Sequence, residues 1–292
     1  MTNLVISTAF PLNKVAAPNL PLATAEYDRQ YQDQLNNVLR LYFNRLDALF
    51  SQFQTADTTA ALLIPYGAFH QDGTTVLTGA MTNVSTTPIQ VTSTVEFPSA
   101  GALLIESELV KYTGKTSNTF TGITRGAYGT TNVSNAIGKF ASDAIGVPSP
   151  TTAIPITMTT ADASYGMALD PLLPSRIICT IAGVYNFAFS VQLLNYTTTD
   201  DNVTLWWKKN GVDVPFSAGI AQVPPKHGSS PGAGIIAWNI LIEVSVTDYV
   251  ELYFASDTGE TVCATYPAGT APVHPISPAA ILTATFVSAL PA

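Results

Sequence analysis

The sequence predicts a mainly β protein: an extended N-terminal arm, one amphipathic α-helix, then an antiparallel β sandwich that carries a small inserted β module. Three observations lead there. Residues 25–53 contain neither Gly nor Pro, and no second helical pattern follows them. β-branched residues and turn residues dominate from Asp57 to the end. Residues 1–23 set Pro11, Pro18 and Pro21 among apolar residues, which forbids a helix and favours extended chain.

Such an arm needs a partner surface to become ordered. The helix is expected over 24–56. Thr24 supplies an N-cap, and Glu26 and Asp28 lie in the first turn, where carboxylates suit the positive end of the helix dipole. Its apolar stripe is Leu35, Leu39, Tyr42, Leu46, Leu49 and Phe53, with spacings that alternate four and three. That is the step of a coiled-coil seam and suggests self-association, although it runs for fewer than about three heptads. The stripe could equally pack on the chain's own β domain. Phe43 and Phe50, on another face, point to a second covered surface.

The β region divides into a sandwich, 57–82 and 148–292, and an inserted module, 83–147, rich in Gly and Thr and closed by the linker-like "VPSPTT". Strand periodicity is clear in "GALLIESELVKYTG", "GVYNFAFSVQLLN", "NVTLWWKKNG", "IIAWNILIEVSV", "DYVELYFAS" and "AAILTATFVSA". No fixed repeat of about 20 to 50 residues occurs, which disfavours a solenoid or propeller. In "LWWKKNGVDV" alternation puts Leu205 and Trp207 on one face and Trp206 and Lys208 on the other, before Asn210-Gly211 turns the chain. One tryptophan is expected in the core and Trp206 at a subunit interface.

Charged residues make up only 11% of the chain and hydrophobic ones 47%, which suits a surface covered by other subunits. The formal charge of -8 repels a phosphate backbone, so no nucleic-acid partner is expected. No apolar run is long enough to span a membrane, and the N-terminus lacks a signal-peptide pattern, so no membrane insertion is expected. Cys179 and Cys263 are expected as buried free thiols.

A search for chemistry finds little. His70, His227 and His274 have no metal-ligand spacing, and the common zinc, redox and hydrolase motifs are absent. No catalytic, metal or cofactor site is therefore expected. Glu106 and Glu108, two apart, would share one face of a strand, as sugar-cleaving carboxylates must, or would form the polar row of a half-exposed strand. Asp200 and Asp201 lie in a Thr-rich loop, "YTTTDDN", without the ligand spacing of a calcium loop and expected to be solvated. "PPKHGSSPGAG" reads as a surface loop, because nothing after it opens a helix.

"TIAGVYNFAFSVQL", "NVTLWWKKNGVDVP", "VTDYVELYFAS" and "ILTATFVSA" occur in the order of the C1q/TNF-like jelly roll, which they resemble over residues 150–290. Together with "EYDRQYQDQLNNVLRLYFNRLD", "IPYGAFHQDGT" and "LLIESELVKYTGKTSNTFTGITRGAYGTT", the chain resembles virion structural proteins of tailed bacteriophages. That resemblance implies a non-enzymatic homotrimer, assembled in the cytoplasm of a bacterial host. It would be attached by arm and helix to the major capsid protein or to tail or neck proteins, as decoration, cement or fibre. The alternative is a receptor-binding tail-fibre head that recognises a host surface glycan or protein. A tailspike-like depolymerase is disfavoured. Tyr185, Phe187, Phe189, Tyr253 and Phe254 are the strand candidates for a three-fold axis, although alternation places only half of them there.

Overall fold

The computed structural model describes residues 29–55, 64–147, 149–150, 152–270 and 272–290, with side chains in the helix as far as Leu46. The chain divides at Ile64/Pro65 into a helical unit and a β unit. The helix α1 is Arg29–Thr55, about 40 Å long at 1.5 Å per residue. Leu35, Leu39, Tyr42 and Leu46 are half-buried along one stripe, while Leu41 and Phe43 are exposed. The arm, the expected cap at Thr24, Glu26 and Asp28, and the side chains of Leu49, Phe50 and Phe53 lie outside the described residues.

The β unit opens with Tyr66–Gln71 (β1). The main strands of the module follow: Gly101–Ile105 (β2), Glu108–Tyr112 (β3) and Phe140–Gly146 (β4). Next come Thr160–Tyr165 (β5), Met167–Leu169 (β6), Ile177–Cys179 (β7), Gly183–Asn195 (β8), Asp201–Lys209 (β9) and Gly219–Val223 (β10). Gly232–Val244 (β11), Tyr249–Ser256 (β12), Thr261–Ala264 (β13) and Ala280–Ser288 (β14) complete it. One sheet runs β5-β1-β14-β8-β11 and the other β6-β7-β12-β9-β10, all neighbours antiparallel. The chain passes back and forth between these sheets, which makes the unit an antiparallel sandwich of jelly-roll type.

Period-2 alternation builds the core. Tyr185, Phe187, Phe189, Val191 and Leu193 of β8 face Val203, Leu205 and Trp207 of β9 and Val250, Leu252 and Phe254 of β12. The Trp207 ring lies 5.4 Å from Phe187 and 5.9 Å from Phe189, at tilted and edge angles. Removing such a side chain would cost about 3–5 kcal/mol. β8 begins with Gly183 for a packing reason: a Cβ there would stand 2.4 Å from the Phe286 ring. Cys179 and Cys263 are free and buried in the same core. The hairpin forms as expected, with Asn210 and Gly211 both at positive φ, 52° and 80°.

The module has a core of its own, in which Phe120 contacts Phe97 at 5.1 Å and Tyr112 at 4.6 Å. Thr74–Val76 pairs with Phe140–Ser142, and Leu77 and Met81 join the module core, so its N-terminal border falls ahead of residue 83. The reading of "GALLIESELVKY" as one strand is corrected. It is a hairpin whose turn is Glu106-Ser107, with Glu106 at φ 55°.

Glu108 and Arg125 form a bidentate pair, 2.6 Å at each contact, inside the module. The carboxylate also accepts N–H groups of Gly126 and Val133, and the guanidinium donates to the carbonyls of Thr82, Ser85 and Val133. Each charge is therefore fully satisfied, the condition under which burial of an ion pair is tolerated.

The module joins the sandwich through one continuous sheet. β4 pairs with β13, and β13 pairs with the end of β8. Ala102, Leu104, Leu109, Tyr128, Leu194, Tyr196 and Val262 pack across this joint. Asp143 of β4 is buried beside it, accepts a hydrogen bond from Gln71 Nε2, and has one carboxylate oxygen without a partner. Burial pushes its carboxyl up from 3.8 to about 7, against the hydrogen bonds of Ala144 N–H and Gln71 and the charge of Lys115. Between those two values the unfolded chain binds fewer protons than the folded one, so this group makes stability fall as pH rises. Asp143→Asn should raise stability at about pH 8 by up to about 4 kcal/mol and leave it nearly unchanged at about pH 4. Denaturant unfolding at both pH values checks this, and an equal effect at both would contradict the assignment.

Candidate functional site

The outer faces of the two sheets carry most of the exposed side chains of the sandwich. On the larger sheet the outward rows are Tyr66, Thr285, Asn186 and Leu241; Ala68, Thr283, Ala188 and Asn239; and His70, Ile281, Ser190 and Ala237. Ile235 is 71% and Leu241 58% exposed, and Ile281 and Val287 are also exposed. β11 is an edge strand of 13 residues whose only ladder, among the described residues, is with β8. A long edge with an apolar outer row is a template for association unless it is covered.

At the edge of the smaller sheet, Phe216 is fully exposed and holds φ 62°. A bulky side chain in the left-handed region is strained by roughly 1–3 kcal/mol, a conformation that persists where the surroundings impose it. Ile220 on β10 is exposed close by in the chain. A recess lined by Phe216, Gly219, Trp238 and Ile240 lies alongside.

These positions revise the expected interface. Tyr185, Phe187 and Phe189 are buried in the chain's own core with Phe254, because alternation turns them inward, so they do not lie on the open face of the sheet. Their outward neighbours on β8 are Val184, Asn186, Ala188 and Ser190. Trp206 and Tyr253 do face outward, but from the smaller sheet, where they form a cross-strand pair. The missed residues had a signal. In "IIAWNILIEV" the outward set carries Ile235, Ala237 and Leu241 beside Asn239 and Glu243, more apolar surface than the polar row of a half-exposed strand.

The charged candidates separate. Glu106 pairs with Lys139 at 2.9 Å on the module surface, while Glu108 is committed to Arg125, so the two carboxylates do not converge on one site. Asp201 is buried rather than solvated. It accepts Ser256 Oγ at 2.6 Å, Thr261 Oγ1 at 2.5 Å and the Thr258 N–H at 3.0 Å. Burial works against its charge, yet these bonds hold its pKa below the usual value. Asp200, one residue earlier, stays exposed. "PPKHGSSPGAG" is a turn closed by His227 and Ser230 that already enters β11 at Gly232. Among the described residues no group of three His, Cys, Asp or Glu side chains is placed to hold a metal ion.

One titratable cluster borders the larger outer face. His70 Nδ1 lies 2.7 Å from Asp162 Oδ2 and Nε2 lies 3.1 Å from Asp72 Oδ2. Asp72 also accepts the hydroxyls of Thr159 and Thr160. A ring with a carboxylate at each nitrogen is satisfied only as the doubly protonated imidazolium. Partial burial opposes that charge, but the bond to Asp162 and the charge of Asp72 outweigh it, and the pKa is raised above 6.5.

No protein-family profile matches the chain, and no curated protein matches it. Among solved structures, the crystal structure of murine APRIL at pH 5.0 is similar at 9% identity, covering 48% of this chain and 95% of that one, with a TM-score of 0.31. At that score the likeness carries no argument about function.

The raised His70 pKa has a definite sign. Its contribution to stability is complete below the ordinary histidine value and is lost as pH rises through the raised one. His70→Gln should therefore be less stable than the wild type at about pH 6 and approach it at about pH 9, measured by thermal unfolding at each pH. A difference independent of pH would refute the imidazolium assignment.

Proposed function

We propose that the chain is a non-enzymatic, homotrimeric structural protein of a bacteriophage virion, held by its arm and helix to the capsid or tail as a decoration, cement or fibre protein. The observation that carries the self-association is the pairing of an uncovered apolar face, Ile235, Leu241, Ile281 and Val287, with a separate projecting edge, Phe216 and Ile220, on the same chain. Two different patches that complete each other make a heterologous contact, which closes into a ring when the rotation permits. Burying a side chain such as Phe216 stabilises the assembly by about 2–3 kcal/mol per copy. The number three, and the virion, come from the resemblance of the jelly-roll and helix motifs. In that reading the stripe Leu35, Leu39, Tyr42, Leu46, Leu49 and Phe53 joins the three helices. Three arms then hold by avidity what one would hold weakly.

Light scattering on the wild-type chain should give a trimer. The double change Phe216→Ser and Leu241→Asp should shift it towards monomer with the β-sheet circular dichroism unchanged. A monomeric wild type at micromolar concentration would remove the reading. For the virion, a cryo-EM map of the particle should show the β head projecting from an attached arm. Hundreds of copies would place it on the head and a few to some tens on the tail or neck, whereas absence from the purified particle would refute the assignment.

A further inference from the structure

Where the module meets the sandwich there is a cleft of about 280 Å³. One wall is the module segment 95–98, and the other is formed by residues 157–159, 169–171 and 174 of the sandwich. Phe97, Pro98, Met158, Leu169 and Pro174 give it an apolar lining. The second wall is held by its own hydrogen bonds: Asp170 Oδ1 accepts the N–H groups of Leu172 and Leu173 at 2.9 and 3.2 Å, and the Pro174 carbonyl accepts the Met158 N–H at 3.0 Å. Gln71 ends β1 with its side chain turned inward, is fully buried, and lines the cleft. Its Nε2 donates to Asp143, which is not part of the lining, and its Oε1 has no hydrogen-bond partner. An ionised carboxylate only accepts, so Asp143 turns the amide NH₂ towards itself and leaves the oxygen facing away. A buried oxygen in that state is costly until a donor meets it. Glu96 and Asp170 stand on the two walls. Glu96 Oε2 accepts the Thr74 N–H at 3.2 Å, so each carboxylate has one oxygen engaged by backbone and a second left over. The Lys115 amine on the module side is already taken by the carbonyls of Thr94 and Phe97.

We propose that this cleft binds an alkylammonium group, its aliphatic stem against Phe97, Met158 and Leu169 and its amine donating to Gln71 Oε1 and to the second oxygens of Glu96 and Asp170. The three N–H donors of an ammonium then meet three acceptors. Charge selects the same ligand. Two carboxylates border the cleft on a chain of net charge -8, so an anion is repelled and a cation drawn in. A metal ion fits less well. Among the described residues no three His, Cys, Asp or Glu side chains are grouped to hold one, and an apolar wall supplies no ligand to a hard cation. A neutral apolar molecule would fill the lining but leave the amide oxygen unpaired. A short stem with a terminal cation satisfies both, and the cleft is of a size for a small ligand. Two sources share this chemistry: a free amine, and a lysine side chain presented by another chain. Nothing in the site depends on the trimer or the virion.

The test uses the full-length chain with isotopically labelled methionine methyl groups, titrated with pentylamine, pentanol and Nα-acetyl-lysine N-methylamide at up to about 10 mM, a range in which weak contacts register. Met158 lines the cleft, whereas Met81 lies in the module core and serves as the reference. Pentylamine should shift the Met158 methyl resonance in a saturable way, leave that of Met81 in place, and bind at least about tenfold more tightly than pentanol, which has the same stem without the charge. The double change Glu96→Gln and Asp170→Asn keeps an acceptor for each backbone N–H, and it should weaken the amine by at least about tenfold while leaving the alcohol unaffected. Either single change serves if the double variant loses its fold. Binding of the lysine derivative as tightly as the amine supports a site for a lysine side chain, and binding of the amine alone supports a site for a free amine. No movement of Met158 with the amine, equal affinity for amine and alcohol, or an amine affinity unchanged in the carboxylate variants would overturn the proposal. The oligomeric state, measured on the same samples, separates that result from failure of the trimer.

Discussion

The structure depends on the two-sided ladder of the strand Gly183–Asn195. One edge pairs along all 13 residues with Gly232–Val244, and the other is shared in succession by the C-terminal strand and by Thr261–Ala264. Its inward side chains supply much of the packing against the opposite sheet, and Trp207 closes on them from the other side. Because the strand is longer than its C-terminal neighbour, its last three residues remain for a different partner. Through that overhang the inserted module becomes part of the same sheet.

The joint explains the distribution of buried polar groups. Gln71, Asp143 and Thr265 lie where the end of the first strand, the last module strand and the start of the C-terminal segment meet. The Gln71 carbonyl accepts the Ala279 N–H and the Thr265 hydroxyl, and Ser142 Oγ donates to the Thr265 carbonyl at 2.7 Å. Asp143 is the one charge in this joint whose bonds do not offset its burial, and its raised pKa follows. Inside the module, by contrast, every contact of Arg125 and Glu108 is made, so burial there leaves no polar atom of the pair without a partner.

The two outer faces differ in chemistry because the strands that form them differ in composition. The larger sheet exposes aliphatic side chains around a sparsely charged centre, with His70 and its two carboxylates at one side. The smaller sheet exposes rings separated by charges that are already paired. Aliphatic surface of the first kind favours contact with other apolar surface, whereas the paired charges of the second keep it hydrated.

The sequence by itself determined the fold class, the helix, the Asn210-Gly211 hairpin and the alternation that separates Trp206 from Trp207. Each of these depends on residues within one turn or one strand, where backbone geometry and side-chain period act directly. Only the tertiary structure decided which alternating row of β8 looks inward. That choice belongs to the opposing sheet, and it sends Tyr185, Phe187 and Phe189 to the core and leaves the exposed face to Ile235, Leu241 and Ile281. The split of Glu106 and Glu108 by a turn, the burial of Asp201 and the early start of the module are of the same kind. Each is set by partners distant in the chain, such as Arg125, Thr261 and Phe140–Ser142. Local pattern specifies what a strand can cover, and packing against a remote segment specifies what it does cover.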